Sequence, residues 1–278
     1  MARLGTNPNR TNKAQELGDT VLTCVTHLPN LDGYHSHRLD VVMTCLESMR
    51  GRSSLPVVIW DNGSCDTMKD WIRNEYKPDI FIESFNIGKT QAQLALARML
   101  TGKVMAYCDD DIFFYPDWFT SQMEVFRKYP NVACVTGYPV RTAFRWGCEN
   151  TKAWGLKHGK MQVGKFIPRE WENDFCVSIQ RDPQSHEIAT MADFDYLLEY
   201  NGVKAFATSH HCQFIADADA VTRASQNNND SMGDERPFDI KMDILGLRLA
   251  TVERTSRHIG NVIDDKLRAD ISHVWKPQ

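Results

Sequence analysis

Short apolar runs alternate with helix-period patterns along the first half of the chain. Val21-Leu22-Thr23-Cys24-Val25-Thr26 is apolar and β-branched and opens into a loop running from Pro29 to Gly33, which predicts a buried strand. Leu39, Val42, Met43, Leu46 and Met49 then recur at helical spacing. Further strands are predicted at residues 56–60, 79–83, 104–108 and 132–136, with helices at 67–74, 90–100 and 118–128 between them. This order predicts an α/β fold with a mixed, mainly parallel central sheet flanked by helices. In such sheets ligands bind outside the carboxyl ends of the strands. Polar residues gather at those ends: Thr26, Asp61, Asn86, and Asp109 to Asp111.

Beyond Gly137 the pattern weakens. Residues 141–190 carry Trp146, Trp154, Trp171, Arg141 and Arg145 but little periodicity. A regular element is predicted over 193–200, followed by Gly202 and a strand over 203–208. The polar run from Gln226 to Asp230 reads as a linker. After it, Phe238, Met242, Leu245, Leu249, Val252, Ile259 and Ile263 recur at steps of three and four, with Ser256 interrupting. They predict a long amphipathic helix or helical hairpin that packs on the domain or, alternatively, forms the seam of a homodimer.

Composition narrows the function classes. A chain of 278 residues with 42% apolar and 24% charged residues is ordinary globular material, sized for one large domain or a core with an annex. Its net charge of −4 lacks the basic surplus of a duplex-nucleic-acid binder, so no nucleic-acid partner is expected. No apolar run is long enough for a membrane span. The polar start, residues 1–19, lacks a signal peptide's apolar core. The eight cysteines show no CxxC spacing and mostly fall in apolar patterns, as reduced thiols of a cytoplasmic protein would.

The sharpest chemical signal is Asp109-Asp110-Asp111 at a strand exit. Carboxylates placed there can aim at one hard cation, Mg2+ or Mn2+, which prefers oxygen ligands and shares them with substrate phosphates. Alone, such a run also reads as an acidic turn, as Asp61-Asn62-Gly63-Ser64 does.

Taken together, Thr26, Asp61-Asn62-Gly63-Ser64, Asn86-Ile87-Gly88 and Asp109-Asp110-Asp111 with Pro116 resemble, in order and strand context, a family 2 glycosyltransferase with the GT-A fold. The resemblance covers about residues 20–220. It implies a catalytic domain over 20–225, with a nucleotide-binding half (20–137) and an acceptor half (138–225), and a C-terminal extension over 226–278. Asp61 would accept a hydrogen bond from the nucleotide base, with Thr26 lining the same pocket. Gly88 would let the backbone approach the nucleotide and Lys89 would reach it. Asp109 and Asp110 would lie beside the nucleotide, and Asp109 and Asp111 toward the cation.

Family members also carry an acidic pair followed by a helix and then a glycine. Met191-Ala192-Asp193-Phe194-Asp195 with Gly202 is matched to it, making Asp193 the general base and Asp195 the reserve, although Ala192 replaces one family acid. A third cation ligand is sought in His211, with His210 and Asp217 as alternatives.

The implied activity is metal-dependent, inverting transfer from a nucleotide sugar (UDP-linked rather than GDP-linked) to a glycan or small-molecule acceptor. Two other readings compete. A nucleotidyltransferase would want a Gly-rich basic loop, whereas residues 28–37 hold one Gly and no Lys. A non-catalytic nucleotide-sugar or glycan binder would account for Ala192.

Overall fold

The computed structural model describes residues 16–51, 53–158, 160–226 and 235–274. The start of the polar tail and residues 227–230 of the expected linker lie outside the described residues. The first half follows the predicted order: β1 (Thr20–Thr26), α1 (Arg38–Arg50), β2 (Val57–Asn62), α2 (Asp66–Trp71), β3 (Ile80–Ser84), α3 (Lys89–Met99), β4 (Val104–Asp109), β5 (Ile112–Phe114), α4 (Trp118–Lys128) and β6 (Val132–Thr136). The second half adds α5 (Glu149–His158), β7 (Lys160–Gly164), α6 (Arg169–Ser178), α7 (Pro183–Thr190), β8 (Asp195–Tyr200), β9 (Val203–Phe206), β10 (Gln213–Asp217), α8 (Ala218–Ser225), α9 (Arg236–Leu245), β11 (Leu247–Thr251), β12 (Ser256–His258) and α10 (Asp265–Val274).

Ten strands form one mixed sheet in the order β3-β2-β1-β4-β10-β6-β11-β9-β8-β7. The β3-β2-β1-β4 part is parallel, and β10 runs antiparallel between β4 and β6. Alternation along β1 explains its unbroken apolar run. Leu22 and Cys24 enter one buried cluster with Val42, Cys45 and Leu46 of α1, while Val21 and Val25 enter another with Leu96 of α3 and Val221 of α8. A strand covered on both faces needs no polar positions. No helix among the described residues is long and apolar enough to cross a membrane, and all eight cysteines are free thiols.

Two predicted helices are not helices. Residues 195–200 form β8, joined to β9 by Asn201-Gly202, both with positive φ, in a two-residue hairpin. Asn-Gly is the strongest short hairpin signal, and here it closes a hairpin where the family resemblance implied a helix. The C-terminal stripe falls in α9 (Phe238, Met242, Leu245), in β11 (Leu249) and in the segments that follow β11 and β12 (Val252, Ile259, Ile263). Gly246 ends α9 where a side chain would stand 2.4 Å from the Asn131 carbonyl oxygen. The chain then enters the main sheet as β11, between β6 and β9.

The C-terminal segment is thus part of the domain, not a helical extension appended to it. Phe238 and Met242 pack under β1 and β4, Leu249 packs beside Val135, and Ile259 packs beside Val41 and Phe113. The residues expected at a homodimer seam are spent within the chain.

Candidate active site

β4 ends at the acidic run, and neighbouring elements assign its three carboxylates different partners. Asp109 accepts from the Tyr107 hydroxyl at 2.9 Å and from Lys89 Nζ at 2.7 Å. Lys89 opens α3 directly after Gly88, whose amide donates to Asn86 Oδ1. Asp110, expected beside the nucleotide, turns into the protein: it is buried, ion-paired with Arg38, and accepts the His27 amide. Asp111 Oδ2 lies 3.2 Å from Arg38 Nη1 and 3.4 Å from His258 Nε2. Its other oxygen, Oδ1, is buried without a hydrogen-bond partner. Burial alone would raise the Asp111 carboxyl; His258, Arg38 and Lys89 outweigh it and hold Asp111 below the usual carboxylate range.

Arg38 also donates to the Gly260 carbonyl oxygen at 3.0 Å and to Asn261 Oδ1 at 3.3 Å, tying the segment after β12 to the acidic run. β12 itself pairs with β5, just beyond that run, and so delivers His258.

A fourth carboxylate enters from α9. Glu235, at the N-terminus of that helix, lies 3.3 Å from Lys89 Nζ and 3.6 Å from His211 Nε2. Burial raises Glu235, but Lys89 and His211 outweigh it, so the group sits below the ordinary glutamate value. His211 Nδ1 meets Asp239 at 3.0 Å, one turn along α9. His210 is held neutral, first by burial and then by His211 and His258. Trp146 is half exposed, and the Arg236 guanidinium lies 5.3 Å from the centre of its ring.

The floor beside β1 and β2 is closed. Asp61 is fully buried, one oxygen accepting from Thr26 Oγ1 at 3.3 Å and the other from the Ser64 amide at 3.1 Å. Asn62 reaches across to the loop after β3, accepting the Ile87 amide at 2.8 Å and donating to Asn86 Oδ1 at 3.1 Å. Gly63, with φ of +88°, makes that approach feasible, since a side chain there would stand 2.9 Å from the Asn86 nitrogen. Thr26 and Asp61 therefore shape the loops beside the end of β4.

Three expected site residues lie elsewhere. Asp217 ends β10, opposite Val104 at the start of β4. Five residues of strand separate that level from Asp109, roughly 17 Å at about 3.3 Å per residue. Asp193 and Asp195 lie at the β8 end of the sheet, five strands from β4 and on the order of 20 Å away. Asp193 pairs with Arg145 at 2.7 Å. Asp195 is fully buried and gripped by Arg141 at 2.8 and 3.0 Å, and it also accepts the Phe166 and Ile167 amides.

Asp195 thus holds the structure together. Arg141→Met, which strands that buried charge, is expected to cost about 3–5 kcal/mol in urea unfolding, whereas Asp193→Asn, at a partly exposed pair, should cost under ~1 kcal/mol. Equal stabilities for the two variants would refute this division.

Three residues of the cluster were not anticipated, Arg38, Glu235 and His258. The signal for Glu235 was present: Asp234-Glu235 is an acidic pair, a helix follows, and Gly246 closes it. That is the arrangement which Ala192-Asp193 matches only with a substitution. His258 has no comparable local signal, because it reaches Asp111 through β12.

A model of glycosyl transferase family 2 matches residues 36–180. No curated protein matches the chain. Among solved structures, the mannosyltransferase PcManGT from Pyrobaculum calidifontis, in complex with GDP-Man and Mn2+, is 20% identical over 45% of this chain and 39% of its own, at a TM-score of 0.30. The bifunctional IspDF from Campylobacter jejuni is 8% identical over 87% of this chain and 52% of its own, at 0.46. S. aureus TarS (1-349) is 11% identical over 45% and 35%, at 0.33. In each case the chain covers less than two thirds of the other protein's length.

Proposed function

The chain belongs to glycosyl transferase family 2, and from that membership we propose that it moves a sugar from a nucleotide-sugar donor to an acceptor hydroxyl, with inversion and with a divalent cation. The observation that carries the metal is Asp111 Oδ1, a carboxylate oxygen buried with no partner. A buried polar atom left unpaired is costly, and a hard cation satisfies it. Asp111 and His258, whose Nε2 lies 3.4 Å from Asp111 Oδ2, offer oxygen and imidazole nitrogen, and Asp109, two residues earlier, would add a second carboxylate; those donor types suit Mn2+ or Mg2+. When bound, the cation supplies Lewis-acid neutralisation of the leaving diphosphate.

The chain's own residues divide the remaining work. Lys89 and Arg38 supply positive charge for the diphosphate, at the mouth of β4 and at the start of α1. Thr26 and Asp61 hold the loop under the nucleoside, and Gly88 leads the backbone past it. Glu235 takes the proton from the acceptor hydroxyl. Of the two carboxylates that α9 brings to this cluster, Asp239 is held by Arg248 and His211, which leaves Glu235 for this role, and the α9 N-terminus favours its charged form. His211, fixed by Asp239, orients Glu235 instead of serving as a cation ligand. Trp146 beside it offers an aromatic face to a glycan or other small acceptor. UDP-sugars are the donors to test first and GDP-sugars second.

A thermal-shift series of nucleoside diphosphates and nucleotide sugars, each with and without manganese, tests this reading. The cognate donor at a hundred times its dissociation constant should add about 2.7 kcal/mol. That corresponds to roughly 5–10 °C in Tm for a domain of this size. A shift of that size without manganese, undiminished by chelator, would remove the metal from the proposal. No shift with any nucleotide would remove the donor.

A further inference from the structure

Directly beneath the acidic run lies a cluster of sulfur atoms that sugar transfer does not use. Cys24 of β1, Cys45 of α1 and Cys108 of β4 are fully buried, and their sulfurs all lie within 4.8 Å of one another. Cys24 and Cys108 face each other across adjacent parallel strands. Cys45 lies over them, its sulfur 3.9 Å from that of Cys108. Met49, one helical turn beyond Cys45, brings its thioether sulfur to 3.4 Å from Cys108 Sγ.

We propose that Cys24, Cys45 and Cys108, capped by Met49, bind a soft closed-shell cation, zinc or copper(I), that pins α1 to β1 and β4 under the catalytic carboxylates. The geometry suits the chemistry. An equilateral triangle with sides of 3.9–4.8 Å has its centre about 2.3–2.8 Å from each corner, and zinc–thiolate bonds are ~2.3 Å long. Thiolate and thioether donors select zinc and copper(I) over the hard cations that suit carboxylates. The ligands come from three separate elements, so a bound cation cross-links the layer of α1 to the sheet. Cys45 Sγ also lies 3.3 Å from the Asp109 carbonyl oxygen, so the cross-link bears on the residue that begins the acidic run. The site is independent of which sugar or nucleotide the protein uses.

Elemental analysis of the full chain, purified in reductant and without chelator, tests the proposal. About one zinc or copper per chain is expected, retained through dialysis against EDTA because the site is sealed from solvent, and released on unfolding. Cys45→Ala should hold less than a tenth of that metal. His211→Ala should keep all of it, which separates this site from the neighbouring His210-His211-Cys212 group. Should Cys45→Ala fail to fold, wild-type protein refolded with cobalt should show a thiolate-to-cobalt charge-transfer band with the intensity of three thiolates. A protein free of soft metal after refolding with zinc or copper(I), metal retained by folded Cys45→Ala, or a cobalt form without that band would each overturn the assignment.

Discussion

Asp111→Asn is expected to bind nucleoside diphosphate equally well with and without manganese, and to turn over on the order of 10³-fold more slowly than the wild type. The substitution keeps the size of the side chain and removes the charge through which, on the proposed reading, the buried oxygen would hold a cation. A bound cation supplies several kcal/mol of stabilisation to the charge developing on the leaving diphosphate. Losing one preorganised electrostatic group in comparable sites costs ~10²–10³-fold in rate. Titration calorimetry in manganese and in chelator is the direct measurement. Asp217→Asn, at the far end of β10, serves as the control and should match the wild type. If Asp111→Asn retains the manganese-dependent gain in affinity, the cation is held elsewhere and the unpaired oxygen has another explanation.

The second large effect is expected at Glu235. Glu235→Gln should lose ~10²–10⁴-fold in kcat, the usual contribution of general-base assistance, while donor affinity changes less than about threefold. Asp193→Asn, which lies across the sheet, should remain near wild type. A pH profile sharpens the comparison. Lys89 and His211 hold Glu235 below its ordinary value against the effect of burial. The base is therefore ionised throughout the neutral range, and the acid limb of kcat/KM should fall below the usual glutamate pKa. In Glu235→Gln that limb should vanish with the activity. Full turnover in Glu235→Gln together with a dead Asp193→Asn would restore the base to the β8 end of the sheet, beside the pocket lined by Arg141, Lys165, Glu172 and Thr190.

Local chemistry made the first half of the chain legible. Each strand from β1 to β6 that belongs to the main sheet is a short β-branched or apolar run stopped by polar residues, and each helix between them has a periodic apolar face. The expectations at residues 193–200 and 238–263 failed for different reasons. At 193–200 a helix was expected only because the family resemblance implied one, whereas Phe194, Tyr196, Leu198 and Tyr200 alternate as in a strand and Asn201-Gly202 closes β8 onto β9. At 238–263 a single stripe of apolar residues was read as one helix or a helical hairpin. It is divided between α9, β11 and the segments after β11 and β12, because Gly246 must pass close to the Asn131 backbone and only an extended segment fits between β6 and β9.

The sequence by itself determined the α/β class, the parallel half of the sheet and the gathering of acids at the end of β4, where we propose that a cation and a nucleotide meet. Those features follow from periodicity and from residues a few positions apart. Only the tertiary structure decided which carboxylates share that place. Asp110 and Asp111 are neighbours in the chain, yet Arg38 draws one inward while the other keeps an unpaired oxygen. Asp195 and Asp217 are acids of the right kind, but strand direction and strand order carry them away. Glu235 and His258 arrive from more than a hundred residues downstream, through α9 and through the pairing of β12 with β5. Chain spacing carries no information about such meetings, because they are set by which strands lie side by side and which way each one runs.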